Sequence, residues 1–198
     1  MFYTAEEPHG LPFDPFKAII APRPIGWIGS QNRDGHINLA PYSFFNAVSS
    51  RPNIIAFSSQ GLKDSAYNAV ETGEFTFSLA TRALAEKMNQ SSANLGSNEN
   101  EFDFARLTME PSRLISPPFV SESPAALECK VISNLRLTDL HGNETDAYVI
   151  FGQVVATHIR DEFIRDGRFD TAKAQPIARC GYNDYATVES VWEIPRTG

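Results

Sequence analysis

The feature that most constrains this chain is a run of alternation between Leu127 and Leu137. Leu127, Cys129, Val131, Leu135 and Leu137 fall on odd positions, and Glu128, Lys130, Asn134 and Arg136 on even ones. A period of two sends successive side chains to opposite faces, so this segment is a half-buried strand. The turn residues Asp139-Leu140-His141-Gly142-Asn143 follow, and the apolar run Ala147 to His158 is its hairpin partner. Further strands are predicted at Ile25–Ser30, His36–Ala40, Ile54–Ser58, Glu74–Leu79 and Val188–Ile194. Short strands divided by Gly and Pro, with no repeating βαβ unit, predict a single mainly β domain over residues 1–198, built as an antiparallel barrel with a few peripheral helices.

One helix is expected at Ser65–Thr72, with Asp64 or Ser65 as N-cap and Gly73 just past its end. Thr81 is placed to cap a second helix that carries Leu84 and Met88 on one face. Between Asn89 and Asp103 the sequence turns polar, and it reads as a long exposed loop of the kind that forms lids or interfaces.

Charge narrows the function classes. Seventeen Lys and Arg against 24 Asp and Glu leave a net charge of −7, which argues against general affinity for nucleic acid or an anionic membrane. An anionic ligand must then be held by a local concentration of donors. No apolar run approaches the length of a membrane span, and the N-terminus lacks the basic start of a signal peptide. The two cysteines, Cys129 and Cys180, form no Cys-x-x-Cys pair, and the four histidines lack metal-ligand spacing. A reduced, cytoplasmic chain without a metal centre is expected. Cys129 falls on the apolar face of its strand and reads as a structural thiol. His158, at a strand end, reads as a packing residue.

Two segments carry candidate chemistry. In Ser58-Ser59-Gln60-Gly61-Leu62-Lys63-Asp64-Ser65 a strand ends in two hydroxyl residues, a Gly permits a tight turn, and a Lys precedes a helix N-terminus. Hydroxyl donors, a point charge and free backbone N–H groups all suit a phosphate. The spacing is not that of a Walker loop, and a plain strand-to-helix turn with a solvated Lys has the same pattern. In the second segment, Asn38 to Pro52, small and hydroxyl residues interleave with Tyr42, Phe44 and Phe45. Such an irregular strand end can wall a flat heteroaromatic ring. It can equally be a bulged barrel strand with core Phe residues.

Taken in order, four motifs change the balance: Pro22-Arg23-Pro24-Ile25-Gly26-Trp27-Ile28, Asn38-Leu39-Ala40-Pro41-Tyr42-Ser43-Phe44-Phe45-Asn46, Lys63-Asp64-Ser65, and Glu122-Ser123-Pro124-Ala125-Ala126-Leu127-Glu128-Cys129. The series resembles the flavin reductase-like family with its FMN-binding split β-barrel, a Greek-key antiparallel barrel. Asn68 and Thr72-Gly73-Glu74-Phe75 add to the likeness, which runs from Ile19 to Tyr185. Arg179-Cys180-Gly181-Tyr182-Asn183-Asp184-Tyr185 resembles a family segment in which Leu often stands at Cys180 and Gly sometimes at Tyr182. The resemblance implies a homodimer with one FMN per subunit near the interface. Ser43, Phe44, Phe45, Asn46, Ala47, Val48 and Ser49 would line the isoalloxazine and ribityl chain, and Ser58, Ser59, Lys63, Asp64 and Ser65 would hold the phosphate. It implies an oxidoreductase that takes hydride from NADH or NADPH as a transient co-substrate and passes electrons to a monooxygenase or other acceptor. Within the same fold, a flavoredoxin-like carrier reduced by a protein partner and a non-enzymatic flavin-binding protein are the alternatives. No Ser-His-Asp set or carboxylate pair is recognisable, so no residue is assigned as a protein acid or base.

Overall fold

The structure, a computed structural model, describes residues 1–95, 99–195 and 197; Gly96, Ser97 and Asn98 of the polar stretch lie outside them. After a short helix α1 (Phe16–Ile19) come the strands β1 (Arg23–Pro24), β2 (Gly26–Gln31), β3 (Ile37–Tyr42), β4 (Phe45–Ser50) and β5 (Asn53–Gln60). Helix α2 (Asp64–Thr72) leads into β6 (Glu74–Leu79), and α3 (Ala85–Gln90) and α4 (Glu101–Phe104) follow. The short pair β7 (Met109–Glu110) and β8 (Phe119–Val120) precedes the long hairpin β9 (Ala125–Thr138) and β10 (Glu144–Ile159). Last are β11 (Ile164–Arg165), β12 (Arg168–Phe169), α5 (Thr171–Ala174), β13 (Ile177–Gly181) and β14 (Asp184–Thr187).

Seven strands pair antiparallel in the order β3-β2-β6-β9-β10-β5-β4. The two edge strands, β3 and β4, are consecutive in sequence with only Ser43 and Phe44 between them. Laid flat, the sheet would separate those edges by about 29 Å, and a two-residue link reaches about 10 Å. The sheet must therefore curl into a barrel. Its interior confirms this. Phe57 on β5 meets Phe75 on β6 edge-on at 5.3 Å, and Phe45 on β4 stacks on Phe77 of β6 at 5.0 Å, although these strands are not neighbours in the sheet. Ile28, Ile55, Cys129 and Ile150 complete this core, and Ala66 and Ala69 of α2 pack onto it. Room for the Phe75 ring comes from Gly152, where a Cβ would lie 2.3 Å from it.

A second core lies on the opposite face of β2, where Trp27, Leu39, Leu84, Met88, Phe102 and Val120 pack together. Leu84 and Met88 are buried as expected from their spacing, though a 3-10 turn at Arg82–Leu84 starts the element and Thr81 makes no side-chain cap bond. The polar stretch after Asn89 departs from expectation too. Ser91 is buried because its hydroxyl accepts the Trp27 indole N–H at 2.8 Å, and Glu101 and Phe102 are buried in α4. An indole donor in a core needs a partner, and that need draws the chain inward.

Val188–Ile194 is not a strand: β14 ends at Thr187, and Val191, Trp192 and Ile194 are exposed. Its apolar residues alternate, but it forms no ladder with any strand among the described residues. On β9 the even face is not uniformly wet either. Glu128 is fully buried and accepts the Arg113 and Leu114 N–H groups at 2.8 and 2.7 Å, with His158 Nε2 at 2.6 Å. Those donors outweigh burial, which alone would raise its pKa, and hold the carboxyl below the usual range. The His158 ring also packs on Phe119, their centroids 4.5 Å apart. Burial, with the nearby Glu128 charge, pushes the Cys129 thiol up to about 12, as suits a structural cysteine.

Candidate functional site: a cleft at the mouth of the barrel

Helix α2 begins without a side-chain cap. Its N-cap is Lys63, in extended conformation, instead of Asp64 or Ser65, and the first helical backbone bond runs from Tyr67 N–H to the Lys63 carbonyl. The N–H groups of Asp64, Ser65 and Ala66 therefore open toward the end of the barrel with no side chain satisfying them by capping. Ser65 is diverted: its Oγ accepts from Asn38 Nδ2 at 2.6 Å. Gly73 closes the helix in the left-handed conformation.

This helix start lies in a cleft of about 880 Å³. Ser43, Phe44, Ser58, Ser59, Lys63, Asp64 and Ser65 all line it, so the structure brings together the ends of β3 and β5 and the start of α2. Ser91, Ser92, Ala93, Asn94, Leu95, Glu99 and Asn100 form another wall, which places the described part of the polar stretch at the cleft. Ser59 Oγ is buried at 1% exposure and has no hydrogen bond of ordinary geometry. The Tyr42 phenol feels both Ser65 and Ser59; burial raises its pKa, those hydroxyls lower it, and Asp64 and Glu101 raise it further.

Three carboxylates, Asp64, Glu99 and Glu101, line the cleft with Lys63. Asp64 sits in the first turn of α2, where the helix dipole favours it. Glu101 is 9% exposed, and its Oε2 accepts the Leu39 N–H at 2.9 Å. Desolvation raises its carboxyl above the usual range, the Leu39 bond lowers it in part, and the Asp64 charge adds to the rise.

Other expected contacts fall elsewhere. Phe45 points into the barrel against Phe77. Asn46, Ala47 and Val48 are exposed on edge strand β4, Ser49 is half-buried there, and none of them lines the cleft. The Ala47 N–H is taken by Asn46 Oδ1 at 2.8 Å. Residues absent from the expected set are Asn38, Tyr42, Asn68 and Glu101, which line the cleft as well. Tyr42 adjoins the segment from Ser43 onward, and Glu101 lies in the Asn89–Asp103 stretch read as a lid or interface loop, but its bond to the Leu39 N–H had no local signal.

The donors fit a phosphate ester. Uncapped helix N–H groups, a lysine and a buried hydroxyl beside the Tyr42 phenol converge on one volume, and the cleft is of the size that ordinarily takes a cofactor. Comparison with known proteins agrees. Residues 20–173 match the model of the flavin reductase-like domain. An uncharacterised protein of Halalkalibacterium halodurans is 34% identical over 182 residues, covering 89% of this chain and 87% of its own. Among solved structures, nitrilotriacetate monooxygenase component B from Bacillus cereus superposes with a TM-score of 0.88 at 29% identity, over 98% of both chains. A 2-nitrobenzoate 2-nitroreductase from Pseudomonas fluorescens gives 0.80 at 25% identity, over 92% of this chain and 88% of its own. With a barrel closed by consecutive edge strands, a phosphate-type cleft at its mouth and a domain match across most of its length, the chain belongs to the flavin reductase-like family.

Proposed function

We propose that this protein is an FMN-binding oxidoreductase that accepts hydride from NADH or NADPH and passes electrons to an oxygenase or another acceptor. The observation that carries the reading is the junction of β5 and α2. There Lys63, the start of α2 at Asp64 and Ser65 with no side-chain cap, and the buried Ser59 hydroxyl meet in one cleft of an otherwise acidic chain. When bound, FMN supplies the hydride-accepting ring. The chain's share is binding and orientation. Lys63 and the α2 N-terminus hold the phosphate, Tyr42 and Ser59 floor the cleft, and Ser43 and Phe44 flank the ring. Residues 91–95, 99 and 100 flank the opening and limit water.

We infer a homodimer as well. Beyond Val131 strand β9 is exposed on both faces, yet it carries Ile132, Leu135 and Leu137. Past the end of β6 this part of β9 is an uncovered edge with apolar side chains, and it gains from a covering surface.

The test is the visible spectrum of the purified protein, followed by stopped-flow mixing with each nucleotide. A flavin spectrum bleached by NADH or NADPH is expected. No reduction by either, with FMN demonstrably bound, would replace the reductase with an electron carrier.

A further inference from the structure

Arg23 on β1 and Arg179 on β13 stand directly opposite each other in the antiparallel ladder. Opposed residues of such a pair share a face with Cβ atoms about 5 Å apart, and like charges there repel. No carboxylate among the described residues offsets this. Among the described residues neither arginine, nor Lys17 beside them, forms an ion pair with a carboxylate. The three cations line one cavity of about 340 Å³, and no Asp or Glu is among the described residues that line it. A chain of net charge −7 thus keeps three uncompensated cations around one small volume.

Both guanidinium groups are held in place. Arg23 is 6% exposed, and its Nη1 donates to the carbonyls of Lys17 and Ile20, the latter at 2.6 Å. Its Nε is buried without a hydrogen bond, and its Cζ lies 6.0 Å from the Phe44 ring centre. Arg179 Nη2 donates to the Tyr182 carbonyl, and its guanidinium sits 4.6 Å from the Tyr185 ring centre. A guanidinium carries five N–H donors, and these contacts use a minority of them. The cavity wall is also specified by sequence. At Gly181, with φ +95°, a Cβ would lie 2.7 Å from the Ala18 backbone, so only glycine lets the end of β13 approach α1. Pro41, Ser43 and Ser92 line both this cavity and the larger cleft, so the two are contiguous.

We propose that the Arg23–Arg179–Lys17 cavity binds an anionic group, a carboxylate or a phosphate, of the small molecule that exchanges electrons with the cofactor in the adjoining cleft. The assignment of that molecule as a redox partner rests on the FMN reading; the anion site itself rests on the cross-strand arginine pair. Two opposed, pre-positioned guanidinium forks suit a planar or tetrahedral oxyanion, which would convert their repulsion into shared attraction. Tyr182 and Tyr185 at the rim offer flat surfaces beside it.

The test is calorimetric titration of the full-length protein, both FMN-loaded and cofactor-free, with pyrophosphate, benzoate and neutral benzamide. The variants are Arg179→Gln and Lys17→Gln, with Arg179→Lys as the charge-conserving control. Arg23 is left intact because it ties α1 to the sheet. We expect at least one of the two anions to bind while benzamide does not, with Kd raised about tenfold in Arg179→Gln and partly restored in Arg179→Lys. FMN affinity should be the same in all variants. Stopped-flow reduction then separates the sources. A raised NADH concentration for half-maximal reduction in Arg179→Gln assigns the site to the nucleotide phosphates. An unchanged NADH dependence with weakened benzoate binding assigns it to a carboxylate acceptor. Anion binding that is absent, or equal in wild type and Arg179→Gln, overturns the proposal. Failure of the wild type to bind FMN overturns the cofactor reading instead, and the cofactor-free titration still decides the anion site.

Discussion

Lys63 and Glu101 act on the cleft with opposite sign. Lys63 is the N-cap of an uncapped helix, and its Nζ adds a point charge to the field of the α2 terminus. Lys63→Ala should weaken FMN binding by about 1–3 kcal/mol, the ordinary loss for a charge-assisted hydrogen bond. Glu101 opposes it: its carboxyl is already pushed up by burial and by the Asp64 charge, and a phosphate would push it further. A carboxyl whose folded pKa is raised favours the folded state below its unfolded pKa, and that contribution is lost as pH rises through the folded value. Glu101→Gln retains an acceptor for the Leu39 N–H while removing the charge. The expected outcome is FMN binding equal to or tighter than wild type at neutral pH, with less tightening on acidification. Fluorescence titration of FMN against both variants across pH checks the pair, and weaker binding in Glu101→Gln would mean that the carboxylate itself contacts the cofactor.

At the scale of elements, the buried Glu128 ties three pieces together: β9 that carries it, β10 through His158, and the segment before β8 through the Arg113 and Leu114 N–H groups. Its pKa is held below the usual carboxylate range, so the ionised form stabilises the fold. That contribution is present above the unfolded pKa and is lost as pH falls through the lower folded value. Acid should therefore loosen this corner. Glu128→Gln should cost about 2 kcal/mol or more at pH 7, since it weakens bonds made to a buried charge. It should also flatten the dependence of stability on pH below the usual carboxylate range. Urea unfolding at pH 7 and pH 4 measures both effects, and an unchanged acid dependence would relocate the responsible carboxylate.

The whole molecule leaves apolar surface that a single chain does not use. Ile132 and Leu135 are 52% and 53% exposed on the part of β9 that β6 does not cover, Val48 is 52% exposed on edge strand β4, and Trp192 is exposed in the tail. Light scattering should give twice the monomer mass. Leu135→Asp should shift it toward monomer and leave the far-ultraviolet circular dichroism unchanged, because the barrel core does not include that residue. A monomeric wild type with FMN bound would remove the dimer.

What the sequence alone determined was local. Period-two alternation placed β2, β3, β5, β6, β9 and β10 to within a few residues, because the pleat alone sets that period. The phosphate-type turn was visible for the same reason: its strand end, Gly61, Lys63 and helix start are contiguous. Tertiary structure decided whatever depended on partners far along the chain. Glu128 stood at a position the alternation made wet, yet the segment at Arg113–Leu114 covers it and supplies its donors. Val188–Ile194 had the pattern of a strand, but it pairs with no strand among the described residues. Glu101 reached the cleft through a bond to Leu39, 62 residues away, and the opposed pair Arg23 and Arg179 arose only from the register of β1 on β13. Register and coverage are set by barrel closure, a global property, and a reading of neighbouring residues carries no term for it.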